Sequence, residues 1–133
     1  MRWFFVVVSI FLGSAVLAQE DLALELKDVN WIGFQQFREA SRIFIKTTEP
    51  VKYRIESVKA DLIVLVIENA RIPLANNRRP LDTHFFDSPI VAIVPKVIED
   101  ASPSVNIEIY LRRPVPFKEI QNDTFLALDF QRH

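Results

Sequence analysis

The chain has 133 residues, enough for one domain, and half of them are hydrophobic, so a dry core is within reach. Its formal charge of -1 speaks against sequence-independent binding of nucleic acid. Two glycines against eight prolines exclude a Gly-rich phosphate loop, and the absence of cysteine removes disulfides, zinc thiolates and thiol nucleophiles.

Residues 1–18 read as a secretory signal peptide. Arg2 supplies the positive start, Trp3 to Leu12 form a short apolar run, and Val16 and Ala18 occupy the small positions before a cleavage point at Gln19. A membrane anchor competes with this reading, but the run is shorter than the roughly 18 residues a spanning helix needs. The expectation is an exported domain over residues 19–133, in a bacterial periplasm, with no transmembrane span in the mature chain.

Leu22, Leu24 and Leu26 alternate with Ala23, Glu25 and Lys27, the period of a half-buried strand. Asp28 to Phe34 continues extended, with Gly33 marking a bulge or a close approach. Gln35 to Ser41 turns the chain back. Ile43 and Ile45 then point one way, and Arg42, Phe44 and Lys46 the other. Glu49-Pro50 breaks the strand. Val51, Tyr53 and Ile55 alternate with Lys52, Arg54 and Glu56, and Lys59-Ala60-Asp61 forms a polar turn. Leu62 to Ile67 is apolar on both faces, which suits a central strand or an edge strand open to pairing with a partner.

Ala70 to Pro89 is irregular, with Phe85 and Phe86 expected to pin it to the core. Its arginines Arg71, Arg78 and Arg79 keep it solvated or meet a partner. Ile90 to Val94 is a strand that Pro95 ends or places at an edge. Val105, Ile107, Ile109 and Leu111 face in while Asn106, Glu108, Tyr110 and Arg112 face out. Arg113-Pro114 breaks this strand, Val115 to Ile120 follows, and Thr124 to Gln131 closes the chain with Leu126, Leu128 and Phe130 on one face.

Ile43 to Asn69 and Val105 to Gln131 are two copies of one pattern. Pro50 matches Pro114, Val51 matches Val115, Tyr53 matches Phe117, and Asp61 matches Asp123 after a small slip. The predicted fold is therefore all-β, a sandwich of two pseudo-symmetric sheets of about four strands each, one sheet from each half.

Ser41-Arg42-Ile43-Phe44-Ile45, Glu49-Pro50-Val51-Lys52-Tyr53 and Leu62 to Asn69-Ala70-Arg71 together resemble the AMIN domain family. Ser88-Pro89-Ile90-Val91 and Val105 to Leu111 extend the resemblance, which runs from about Leu24 to Gln131. The resemblance implies a periplasmic module of N-acetylmuramoyl-L-alanine amidases and type IV pilus secretins. Such modules localise their hosts by binding peptidoglycan, and they fold as two symmetry-related sheets. They usually precede a catalytic or channel domain, so the expectation here is a wall-binding module that docks to such a partner.

Catalysis is not expected. His84 beside Asp82 and Asp87 can be drawn as a ligand cluster, and Ser88 with Asp87 as part of a triad. A loop histidine is the better account, and no strand–turn–helix elbow supports a nucleophile. No metal or cofactor is expected. The expected peptidoglycan site is Arg42, Phe44, Lys46, Lys52 and Arg54 on one sheet face, where arginine grips carboxylates in a fork and an aromatic lies on a sugar ring. The matching face of the second copy, Asn106, Glu108, Tyr110 and Lys118, is less basic, so the two faces are predicted to differ. The alternative is a protein-interaction subunit of a secretin or pilus assembly without direct wall binding; a carbohydrate or lipid carrier would need a deep cavity between the sheets.

Overall fold

The computed structural model describes residues 25–133. The expected signal peptide and the first residues of the Leu22–Lys27 run lie outside the described residues. Ten strands follow: β1 (Lys27–Gln36), β2 (Ala40–Thr47), β3 (Tyr53–Lys59), β4 (Leu62–Glu68), β5 (Ala70–Arg71), β6 (Leu81–Asp82), β7 (Ile90–Ile98), β8 (Ser104–Leu111), β9 (Phe117–Asn122) and β10 (Phe125–Gln131). A 3-10 turn at Ala75–Arg78 is the one helical element among the described residues.

The strands form two five-stranded sheets. The first runs β5-β1-β2-β10-β9 and the second β3-β4-β8-β7-β6. The all-β sandwich is as the alternation predicts, but the halves are distributed differently. The first copy sends β2 to the first sheet and the β3–β4 hairpin to the second. The second copy sends β8 to the second sheet and the β9–β10 hairpin to the first. The expectation of one sheet per half is thus corrected: each copy straddles the sandwich, and each sheet holds strands from both. The proline steps explain this. Residues 48–52 and 112–116 contain Pro50 and Pro114, which cannot donate to a ladder, so the chain leaves one sheet there and enters the other. Val51 is buried at the first crossing, and its carbonyl accepts from Gln121 Nε2 of β9 at 2.8 Å.

Period two decides which side chains are inside. Ile43 and Ile45 of β2, Leu126, Leu128 and Phe130 of β10, and Ile107 and Ile109 of β8 are all fully or nearly fully buried between the sheets. Each such side chain contributes roughly 1.5–3 kcal/mol of apolar transfer free energy. Val64 and Val66 of β4 point to the outside of the second sheet yet are also buried. β4 lies between β3 and β8, so it is central and not open to strand addition. β7 continues through Pro95 to Ile98. Its outer side is paired with β6 only at Ala92 and Ile93, so beyond them the strand tolerates a proline.

Polar links cross the core at one end. Ser88 Oγ donates to Ser41 Oγ at 2.7 Å, Ser41 Oγ donates to Gln36 Oε1 at 2.5 Å, and Ile90 N donates to Ser88 Oγ at 3.1 Å. Both serines are buried, and among the described residues no buried side-chain polar atom lacks a partner.

Candidate functional site

The outer face of the first sheet is built from strands β1, β2, β10 and β9, and cross-strand partners share a face. One row across it holds Trp31, Lys46 and Phe125; the next holds Gly33, Phe44, Ala127 and Ile120; the third holds Gln35, Arg42, Asp129 and Lys118. Aromatic and cationic residues therefore alternate in two dimensions, not only along β2.

Contacts fix most of these groups. The rings of Phe44 and Phe125 stack with centroids 6.1 Å apart. Phe44 also lies against the β1 backbone at Gly33. A Cβ there would stand 2.6 Å from Phe44 Cε1 and 2.8 Å from Cε2, so the glycine is required for space and not for a special φ. Arg42 donates to both carboxylate oxygens of Asp129, from Nε at 2.7 Å and from Nη2 at 2.9 Å. Its guanidinium carbon is 4.8 Å from the centroid of the Phe37 ring and 6.0 Å from that of Phe125. The bond to Asp129 holds the Arg42 pKa above its ordinary value, against a smaller opposing effect of burial. The fork of Arg42 is thereby occupied, and the side chain acts as a brace between β2 and β10. Lys46 and Lys118 have no carboxylate within ion-pair distance among the described residues.

The five residues expected to share one site do not all meet. Arg42, Phe44 and Lys46 do share the outer face of the first sheet. Lys52 sits exposed at the crossing between the sheets. Arg54 belongs to β3 and faces out from the second sheet, on the opposite side of the sandwich, because the proline step has moved the chain across. There Arg54 lies in register with Val66 and Asn106, and pairs with Glu56 at 3.0 Å and Glu68 at 3.7 Å. Its companions are Asn106, Glu108 and Tyr110. Tyr110 donates to Glu108 at 3.0 Å, and Glu108 pairs with Lys96 at 3.3 Å. The hydrogen bond to Glu108 raises the Tyr110 pKa. The two outer faces differ, one aromatic and cationic, the other a mesh of internally paired charges, but they do not divide by copy as expected: Arg54 of the first copy lies on the second sheet and Lys118 of the second copy on the first.

A cleft opens where the first sheet meets the loop after β6. Trp31, Phe34, Phe44, Leu81 and Phe86 form most of its wall, Asp82 also lines it, and its volume is about 420 Å³. Phe34 and Phe86 pack at 5.2 Å between centroids, which fixes the far wall. The loop is tied down at several points. Thr83 Oγ1 donates to Ile90 O at 2.7 Å, Arg112 Nη2 to His84 O at 3.1 Å, and Gln36 Nε2 to Asp87 O at 2.7 Å. Arg132 adds bonds from Nε to Asp87 O and from Nη1 to Phe37 O. Trp31 on β1 is 55% exposed, and on the loop Phe86 is 50% and Phe85 82% exposed. Phe86 meets Phe34, as expected of a pin, whereas Phe85 points into solvent beside His84.

His84 Nδ1 lies 2.5 Å from Asp82 Oδ1, and this contact lowers the Asp82 pKa. Asp87 turns instead to Arg132, and Ser88 is buried against Ser41, so the drawn clusters of this loop are not assembled. Among the described residues no group of three or more His, Asp or Glu could hold a metal ion, and no helix is long and apolar enough to cross a membrane.

Trp31, Phe125, Asp129 and Phe86 were not singled out as site residues from the sequence. The outward phase of Trp31 and Gly33 in β1 was readable; that β1 and β10 flank β2 was not. A comparison with known families finds no family model that matches the chain, and a comparison with curated proteins finds no match.

Proposed function

We propose that this chain is a non-catalytic module of the periplasm that binds peptidoglycan with the outer face of its first sheet and so localises an envelope machine of the division-amidase or pilus-secretin kind. The observation that carries the proposal is the surface of Trp31, Phe44 and Phe125, the last two stacked, set around the uncommitted cation Lys46. Rigid aromatic faces suit the apolar side of sugar rings, since they lose little conformational freedom on binding. A lysine between them suits the carboxylates of a cell-wall polymer. The resemblance of the Ser41–Ile45 and Glu49–Tyr53 segments to AMIN domains supports the same reading. Arg42 contributes as the brace that holds Phe37 and Phe125 in place rather than as a carboxylate grip.

Sedimentation with purified sacculi tests the proposal. The chain should pellet with sacculi and remain in the supernatant without them; a chain left in the supernatant in both cases overturns the reading. A protein-interaction subunit is the second reading, favoured by the exposure of Phe85 and Leu74. A co-purifying envelope protein together with no retention by sacculi would support it instead.

A further inference from the structure

We infer that the cleft between Trp31, Phe44 and Phe86 receives N-acetylated sugar rings of the glycan strand rather than its peptide stems. The inference rests on the wall-binding reading above and assigns the part of the polymer that this site takes.

Three observations carry it. First, aromatic rings line the cleft: Trp31 and Phe44 from the outer face of the sheet, and Phe86 from the loop, where it packs on Phe34. A pyranose in a β-1,4-linked strand presents flat patches of C–H on its faces, and exposed aromatic rings cover such patches. The volume of about 420 Å³ lies within the span of small-ligand clefts, roughly 300–1,000 Å³. Second, the charge of the lining is wrong for a stem. Among the described residues the lining carries the carboxylate of Asp82 and no cation. Stem peptides carry more carboxylates than ammonium groups, a net charge that Asp82 disfavours, whereas hydroxyls and the N-acetyl N–H are neutral donors that it accepts. Both contacts from His84 to Asp82 use Oδ1, leaving Oδ2 as an acceptor among the described residues. Third, the one cation in register with Trp31 is Lys46, which stands on the open sheet and does not line the cleft. A glycan in the cleft leaves its stems over the open face, where Lys46 meets their carboxylates.

Fluorescence of the full chain carrying Trp3→Phe tests this, because Trp31 is then its sole tryptophan. Two probes are titrated: a neutral β-1,4-linked N-acetylglucosamine tetramer and a free stem tetrapeptide. The tetramer should change Trp31 emission saturably, the tetrapeptide should not, and Phe86→Ala should weaken the tetramer about tenfold, the factor given by about 1.4 kcal/mol. A tetramer without effect, or a tetrapeptide that alone gives a saturable change, overturns the inference without any variant. Sacculus sedimentation of the same protein separates the two levels. Retention by sacculi with an inert tetramer defeats the sugar assignment and leaves wall binding intact. No retention defeats the wall-binding reading itself.

Discussion

Gly33→Ala isolates the contact on which the aromatic surface is built. The new methyl would stand 2.6 Å and 2.8 Å from two ring atoms of Phe44, where ordinary contact begins at 3.4 Å. Phe44 must therefore tilt off the β1 backbone, which disturbs its stack with Phe125. Forcing one extra carbon into a packed contact costs about 1–3 kcal/mol. Replacing glycine by alanine inside a strand returns roughly 0.5–1 kcal/mol, because Gly33 has no positive φ that would penalise a side chain. The net expectation is a loss of about 1 kcal/mol, or about 4 °C in Tm for a domain of this size. Urea unfolding measures it, and the decisive comparison is with Phe44→Leu, whose shorter side chain makes room. In the Phe44→Leu background Gly33→Ala should be neutral or stabilising, a coupling of about 1–2 kcal/mol between adjacent positions. A Gly33→Ala chain at least as stable as the parent, with the same effect in both backgrounds, would refute the reasoning.

Asp129→Ala should cost about 1–2 kcal/mol in urea unfolding, between an exposed and a buried ion pair, since both side chains of the Arg42–Asp129 pair are only partly screened. Ser88→Ala removes the acceptor of Ile90 N in a buried setting, so a loss of about 1–3 kcal/mol is expected by the same measurement. Tyr53 gives a pH dependence: burial first, then its hydrogen bond to Glu119, raise its pKa in the folded chain. A raised folded value means that its contribution is complete below the unfolded value near pH 10 and is lost as pH climbs through the folded value. Tyr53→Phe should flatten the alkaline fall in Tm, and an unchanged alkaline slope would count against that assignment.

Strand positions and facing were legible because period-two alternation is local. The phase of Ile43 against Arg42, and of Ile107 against Glu108, could be read within a few residues. The two copies were legible too, through the Pro50 and Pro114 steps. Where each copy went was not, because a proline says that a ladder ends and not which sheet the chain joins next. That one ambiguity separated Arg54 from Arg42, although both lie in phase with the outward side of their own strands. It also hid the true neighbours of β2. Asp129 lies far along the chain, yet it determines that Arg42 is braced rather than available. The pairing of Gly33 with Phe44 was equally non-local: the glycine flagged a close approach, but only the register names the ring that makes it.

Sacculus sedimentation of paired face variants tests the central claim most directly. Phe44→Ala with Lys46→Ala alters the first sheet's outer face, and Arg54→Ala with Lys96→Ala alters the second sheet's, leaving the first untouched. The account predicts that the first pair is released from sacculi while the second pellets like the parent. Release of the second pair with retention of the first, or equal retention of both, would contradict it.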